Sequence, residues 1–242
     1  MVTDHLLSHL FIDIETVAGM RDYAALSPGL QEQWERKSKF IRGKDVEKSS
    51  PAQLFGDHAA VYAEFGKIIC IGIGAIVHKE NGPQIILKSL YDDDEKSLLN
   101  RFCEALTAFT KKHPSIILTG HNVKEFDVPY ICRRMVIQGM SLPDCLQLQG
   151  KKPWQTAIAD TMELWKFGDN KSYTSLALLA EVLGIPTPKD DISGADVGRV
   201  YYEEADLPRI ADYCLKDVLT TARVFLKLQG IKLDPEPVFA AG

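Results

Sequence analysis

Apolar positions along the chain gather into short runs near the start and into helical stripes further on. Residues 10–14 (LFIDI) and 67–77 (KIICIGIGAIV) are nearly continuous and rich in β-branched side chains, the pattern of strands buried inside a sheet. Residues 84–90 (QIILKSL) follow the turn Glu80-Asn81-Gly82-Pro83 and predict a third strand, hairpin-paired to the second. Leu98, Leu99, Phe102, Leu106 and Phe109 then recur at helical spacing ahead of Pro114, which predicts a helix over 97–112. A short strand at 116–120, a helix at 129–138 closed by Gly139 and a strand at 157–159 come next. A helix opened by Asp160, a helix at 175–183 stopped by Gly184 and Pro186, and a long helix at 206–227 complete the series. The order βββαβαβαα predicts an α/β fold, a mixed sheet with helices on both faces.

Two segments fall outside that pattern. Residues 18–58 are polar and turn-rich and read as a surface excursion, while residues 234–242, with their Pro and Ala, read as a frayed tail. Inside the excursion, residues 34–48 carry six basic against three acidic side chains, with Trp34 and Phe40 interleaved. A solvated amphipathic helix is the simpler account; a surface that tracks single-stranded nucleic acid by stacking and phosphate contact is the sharper one.

At 242 residues the chain predicts a single domain over 1–242. A formal charge of −5 excludes nucleic-acid binding by bulk cationic attraction, so any polyanionic substrate needs a local site. Five scattered cysteines without a CxxC pair argue against a disulfide framework or structural zinc and fit a reducing, cytoplasmic setting. The apolar run at 6–12 is too short to span a membrane, so no membrane partner is expected.

Candidate chemistry lies in acidic residues. Asp13 and Glu15, in FIDIET, share one face of a strand. Two buried anions repel unless a cation or solvent neutralises them, and a hard ion such as Mg²⁺ or Mn²⁺ would do so; a polar strand end is the plain alternative. Asp127 follows the 116–120 strand and precedes Pro129, a position that suits a helix cap and a ligand site equally. Tyr213 and Asp217 stand one turn apart on the last helix, beside its buried stripe, as a ligand pair or as a satisfied core hydrogen bond. Asp160 with Glu163 reads as a capping box, and the acidic run 92–95 as solvated complement to a helix dipole. His121 and the Lys151-Lys152-Pro153-Trp154 loop carry no assignment of their own.

FIDIET, HNVKEFDVPYI and YCLKD, in this order and at these separations, resemble the three motifs of the DEDD superfamily of 3′–5′ exonucleases. Tyr213 marks the DEDDy branch, and Asp212 stands where the histidine branch would carry its His. Together with AEFGKIICIGIG (63–74) and YTSLALLAEVLGIP (173–186), the chain resembles the stand-alone predicted exonucleases related to the exonuclease domain of family-B DNA polymerases. The resemblance covers about 7–230 except the excursion. It implies an RNase H-like fold, a five-stranded mixed sheet with its second strand antiparallel. It also implies two divalent ions, Mg²⁺ or Mn²⁺, held by Asp13, Glu15, Asp127 and Asp217, with Tyr213 orienting the attacking water. Thr16, Asn122 and Phe126 would touch the terminal nucleotide.

The function expected is metal-dependent 3′–5′ hydrolysis of single-stranded DNA ends, or of RNA or short oligonucleotides, releasing nucleoside 5′-monophosphates. The alternatives are a catalytically silent RNase H-like module that binds nucleic acid or protein, and a small-molecule phosphoesterase. Four carboxylates and a tyrosine kept together favour the enzyme.

Overall fold

The computed structural model describes residues 4–41, 48–80, 82–169, 173–187 and 191–240. Along the chain run α1 (Asp4–Leu7), β1 (His9–Ala18), α2 (Pro28–Ser38), α3 (Pro51–His58), β2 (Gly66–Lys79), β3 (Gly82–Tyr91) and α4 (Glu95–Lys112). They are followed by β4 (Ile117–Gly120), α5 (Asp127–Ile137), β5 (Ile158–Asp160), α6 (Thr161–Lys166), α7 (Leu176–Val182), α8 (Val197–Arg199), α9 (Leu207–Leu228) and β6 (Glu236–Phe239). The strands form one mixed sheet in the order β5-β4-β1-β2-β3-β6. β2 runs antiparallel to both β1 and β3, and the remaining pairs are parallel.

The sheet has six strands, not the five expected. β6 comes from the tail expected to fray: its backbone pairs with β3 from Gln84↔Glu236 to Leu87↔Phe239. The outer edge of β3 offers unpaired amides and carbonyls, and an edge strand tolerates Pro237 because only one of its sides must donate.

β1 divides the core. Leu10, Ile12 and Ile14 point into the cluster beneath α4 and α5, with Leu98, Phe102, Val128 and Ile131. Phe11 and Val17 point the other way and enter two separate clusters, one with Val218 and Phe225 of α9, the other with Val200, Ile210 and Cys214. Asp13 and Glu15 occupy the same face of the strand between those two apolar residues. The long helix covers this face with a buried stripe from Ile210 to Leu226, and the closeness of its approach is set by glycine. A Cβ on Gly72 would lie 2.8 Å from Val218 Cγ2 and 2.9 Å from Cys214 Sγ, and one on Gly74 would lie 2.8 Å from Val218 Cγ1.

The excursion is a small core of its own. Ser27 caps α2, and Ser50 with Gln53 forms a full capping box on α3, each helix having proline in its first turn. Trp34 is fully buried, its ring 5.3 Å from Phe55 and 5.0 Å from Phe65, and its indole N–H donates to the Pro51 carbonyl at 2.7 Å. Trp34 therefore has no face to offer a nucleotide base. Phe40 is exposed, and residues 42–47, with Arg42 and Lys44, lie outside the described residues. Among the described residues no helix is long and apolar enough to cross a membrane.

Candidate active site

The site is built where β1 outruns its neighbour. Parallel pairing with β4 reaches only Phe11↔Thr119, so further along β1 the backbone on that side lacks a ladder partner. Asp127 supplies one: its Oδ1 accepts the Ile14 N–H at 3.1 Å. Asp127 is thus not the cap of α5. Phe126 holds the cap position without a side-chain bond, and Asp127 is the first helical residue, buried and turned toward β1. The chain can make that return because Gly120 closes β4 where a Cβ would sit 2.6 Å from Val123 Cβ and 3.0 Å from the Ile12 carbonyl.

On β2, Gly72 lies opposite Asp13 and Cys70 opposite Glu15, and a register shift follows between Glu15 and Thr16. Such a bulge bends the strand and marks the end of the carboxylate pair. α9 brings Tyr213, Cys214 and Asp217 onto the same ground: Cys214 Sγ lies 3.4 Å from Asp13 Oδ2 and 3.5 Å from the Asp13 carbonyl oxygen. Donor atoms of Asp13, Glu15 and Cys214 all fall within 4.8 Å of one another.

The electrostatics are those of carboxylates pressed on one another. Burial, then the charges of Asp127 and Asp217, hold the Asp13 carboxyl well above its ordinary range. Burial and then Asp13 do the same to Glu15. Asp127 is pushed up to about 7, chiefly by burial, although its own amide and that of Ile14 pull it down. Tyr213 is also raised, by burial first and then by Asp217, which keeps its hydroxyl protonated. Among the described residues no Lys or Arg pairs with Asp13, Glu15 or Asp127. The carboxylate oxygens gathered here, partly walled from water, fit a hard divalent cation.

Four acids and the tyrosine are therefore brought together. Of the expected nucleotide contacts, Phe126 packs its ring 5.4 Å from that of Tyr130, and the Tyr130 hydroxyl meets the Thr16 side chain and the Ala60 carbonyl. Asn122 takes a left-handed backbone (φ 61°), and its side-chain oxygen is buried with no hydrogen-bond partner.

The loop that carries Asn122 hangs on Asp160. This buried carboxylate accepts the amides of Asn122 and Lys124, each at 3.0 Å, and of Met162 at 2.9 Å. It caps α6, as expected, but Glu163 does not close a capping box; it pairs with Lys124. His121, with its pKa lowered by burial, bridges Thr161 Oγ1 and the Thr174 carbonyl, both at 2.9 Å. Gly72, Gly74 and Gly120 shape the site without supplying a functional group, so no chemical motif in the sequence marks them. The signal for Gly72 and Gly74 is the IGIG of β2, where a strand interior gives up side chains.

The model of a family described as predicted 3′–5′ exonucleases related to the exonuclease domain of PolB matches residues 61–236. The chain belongs to this family. The match includes Asp127, Tyr213 and Asp217, while Asp13 and Glu15 precede it. A putative DNA polymerase of Frog virus 3 (isolate Goorha) is 25% identical over 160 residues, 56% of this chain and 15% of the relative. In the solved structures, the family B DNA polymerase of the archaeon Pyrobaculum calidifontis superposes with a TM-score of 0.50 at 14% identity, over 90% of this chain and 24% of that one. The chain thus spans a small fraction of either polymerase. The RNase H-like fold expected for a member of this exonuclease family is the fold found.

Proposed function

We propose that this exonuclease-family chain removes nucleotides from the 3′ ends of single-stranded DNA, releasing nucleoside 5′-monophosphates, with divalent ions bound by Asp13, Glu15, Asp127 and Asp217. The observation that supports the reading is the convergence of these acids on one junction, where Asp13, Glu15 and Asp127 pair with no Lys or Arg among the described residues. A purely structural cluster of that kind would carry a standing cost in repulsion and desolvation. Two Mg²⁺ or Mn²⁺ ions would cancel the four negative charges, and the chemistry such ions supply is activation of water near neutral pH and neutralisation of phosphate charge.

The protein's own groups do the rest. Asp13 and Glu15, fixed on the strand, and Asp217, fixed on the helix, provide ligands from two rigid elements. Asp127 keeps one oxygen on the Ile14 amide and offers the other to the pocket. Tyr213, protonated throughout the neutral range, donates a hydrogen bond that orients the attacking water. Phe126 and Thr16, both against Tyr130, and Asn122, with its unpartnered oxygen, meet the terminal nucleotide.

The test is a 5′-labelled single-stranded DNA oligomer incubated with the protein and Mg²⁺ or Mn²⁺, beside EDTA and Asp13→Ala controls and an RNA oligomer of the same sequence. The expected result is a ladder shortening from the 3′ end of DNA, absent in both controls. A ladder on RNA alone corrects the substrate. A ladder that survives Asp13→Ala, or none on either polymer, overturns the site assignment.

A further inference from the structure

We propose that Cys214 turns the carboxylate pocket into a capture site for thiophilic divalent ions. Asp13, Glu15 and Cys214 would bind Zn²⁺ or Cd²⁺ and exclude the hard ions that the exonuclease reading requires. The capture rests only on the geometry of these three residues; the exclusion rests on the proposed function.

Cys214 is fully buried on α9, with its sulfur against the Asp13 carboxylate. Two tetrahedral bonds on zinc, about 2.3 Å to sulfur and about 2.0–2.2 Å to oxygen, hold the two donor atoms about 3.5 Å apart. Cys214 Sγ and Asp13 Oδ2 stand at 3.4 Å, and the nearest donor atoms of Glu15 complete a group no wider than 4.8 Å. The Cys214–Asp13 pair already stands at that spacing, the wider group closes by rotation of the Glu15 side chain, and the place of the sulfur is enforced by the close approach of α9 over Gly72. On binding, the metal–sulfur bond forms as the S–H bond breaks, and the proton leaves to solvent. Three protein ligands leave the fourth tetrahedral position to water.

Carboxylate oxygens alone discriminate weakly among divalent ions, whereas a thiolate favours zinc and cadmium over magnesium and manganese. A hard ion in the same pocket would leave the thiol protonated, as a hydrogen-bond donor to Asp13. The second buried thiol, Cys70, lies opposite Glu15 and touches Cys214, but it falls outside the three-donor group, so it serves as the control.

Cd²⁺ titrated into the metal-free protein, without nucleic acid, should give a near-ultraviolet thiolate-to-cadmium charge-transfer band. That band should disappear from the Cys214→Ser difference spectrum, persist in Cys70→Ser and weaken in Asp13→Asn. Sites formed by Cys103, Cys132 and Cys145 are common to all variants and cancel. Should Cys214→Ser fold poorly, the ¹¹³Cd resonance of the unmodified protein decides, because one sulfur ligand shifts it far from an all-oxygen position. A band retained in Cys214→Ser, or an all-oxygen resonance, overturns the proposal. In the cleavage assay with Mn²⁺, Zn²⁺ should inhibit at least about tenfold more strongly with Cys214 than with Ser, a shift of about 1.4 kcal/mol in relative affinity. Equal inhibition removes the exclusion. Absence of cleavage with every ion sinks the proposed function while leaving the cadmium result to stand.

Discussion

Glu95 and Glu15 are both buried glutamates in this chain, and their surroundings could hardly differ more. Glu95, expected to sit in a solvated acidic run, is 4% exposed and meets Arg134 through two bonds of 2.8 and 2.5 Å. It also accepts from Gln138 and from the Ile68 amide. Glu15 is 8% exposed and has Asp13 for its nearest charged neighbour, with Asp127 and Asp217 beyond. The first arrangement closes on itself and needs nothing more; the second gathers like charges, and under the proposed function an external cation completes it. A buried acid with its donors in place is architecture, and a buried acid among other acids is a candidate binding site.

The sharpest way to break the comparison is to remove one acid from each place. Asp13→Asn should abolish cleavage, by roughly four orders of magnitude or about 5 kcal/mol of transition-state stabilisation. The same change should raise the melting temperature of the metal-free protein, because a repelled charge has gone. Single-turnover cleavage and thermal melts in EDTA read the two effects. A variant that loses stability and activity together would class Asp13 with Glu95.

Arg134→Met makes the opposite change. It leaves Glu95 buried with an unpaired charge and should cost about 3–5 kcal/mol of stability, read by urea denaturation, while cleavage measured well below the midpoint persists. Arg134 also donates to the Ala63 carbonyl at 2.8 Å, so part of that loss is the mooring of the Trp34 core to α5.

A third contrast is in pH. The Asp127 carboxyl rises from an ordinary 3.8 to about 7, and those of Asp13 and Glu15 are held well above their usual range, by burial first and by the neighbouring carboxylates second. Between those values the native, metal-free protein holds protons that the unfolded chain has released. Stability should therefore be greatest at the acidic end of the window, fall as pH rises through about 7, and change by on the order of a few kcal/mol. Saturating Mn²⁺ favours the ionised carboxylates and should flatten or reverse the slope. Melts from about pH 5 to about pH 8, with EDTA or Mn²⁺, decide it; a metal-free protein that gains stability toward pH 8 would contradict the shared burial of these acids.

What the sequence made legible were the features with local periodicity. FIDIET placed Asp13 and Glu15 on one strand face, and YCLKD placed Tyr213 and Asp217 on one helix face, because spacing alone decides both. The bond from the Ile14 amide to Asp127 was not legible, since it depends on an amide left open where β4 stops pairing with β1, far away along the chain. Trp34 was masked in the same way: its basic neighbours are local, but Phe55 and Phe65, which bury it, are not. β6 needed the edge of β3, which no pattern in a Pro-containing tail discloses.

Asp160 tests the finest distinction, since it is a third kind of buried acid, held by three backbone amides and, among the described residues, by no Lys or Arg. Asn at this position has nearly the same shape, but one carboxylate oxygen becomes an amine, and whichever side turns inward leaves at least one N–H facing another donor. The change should cost about 2 kcal/mol, the range of a hydrogen bond to a charged acceptor. Because two of the three amides belong to the loop of Asn122, the loss should loosen that loop more than the core. Hydrogen exchange should quicken at Asn122 and Lys124 while α9 keeps its protection, and in the cleavage assay KM should rise more than kcat falls. If exchange quickened uniformly, Asp160 would be supporting the fold as Glu95 does; a local change would make it the link by which a structural acid positions a binding one.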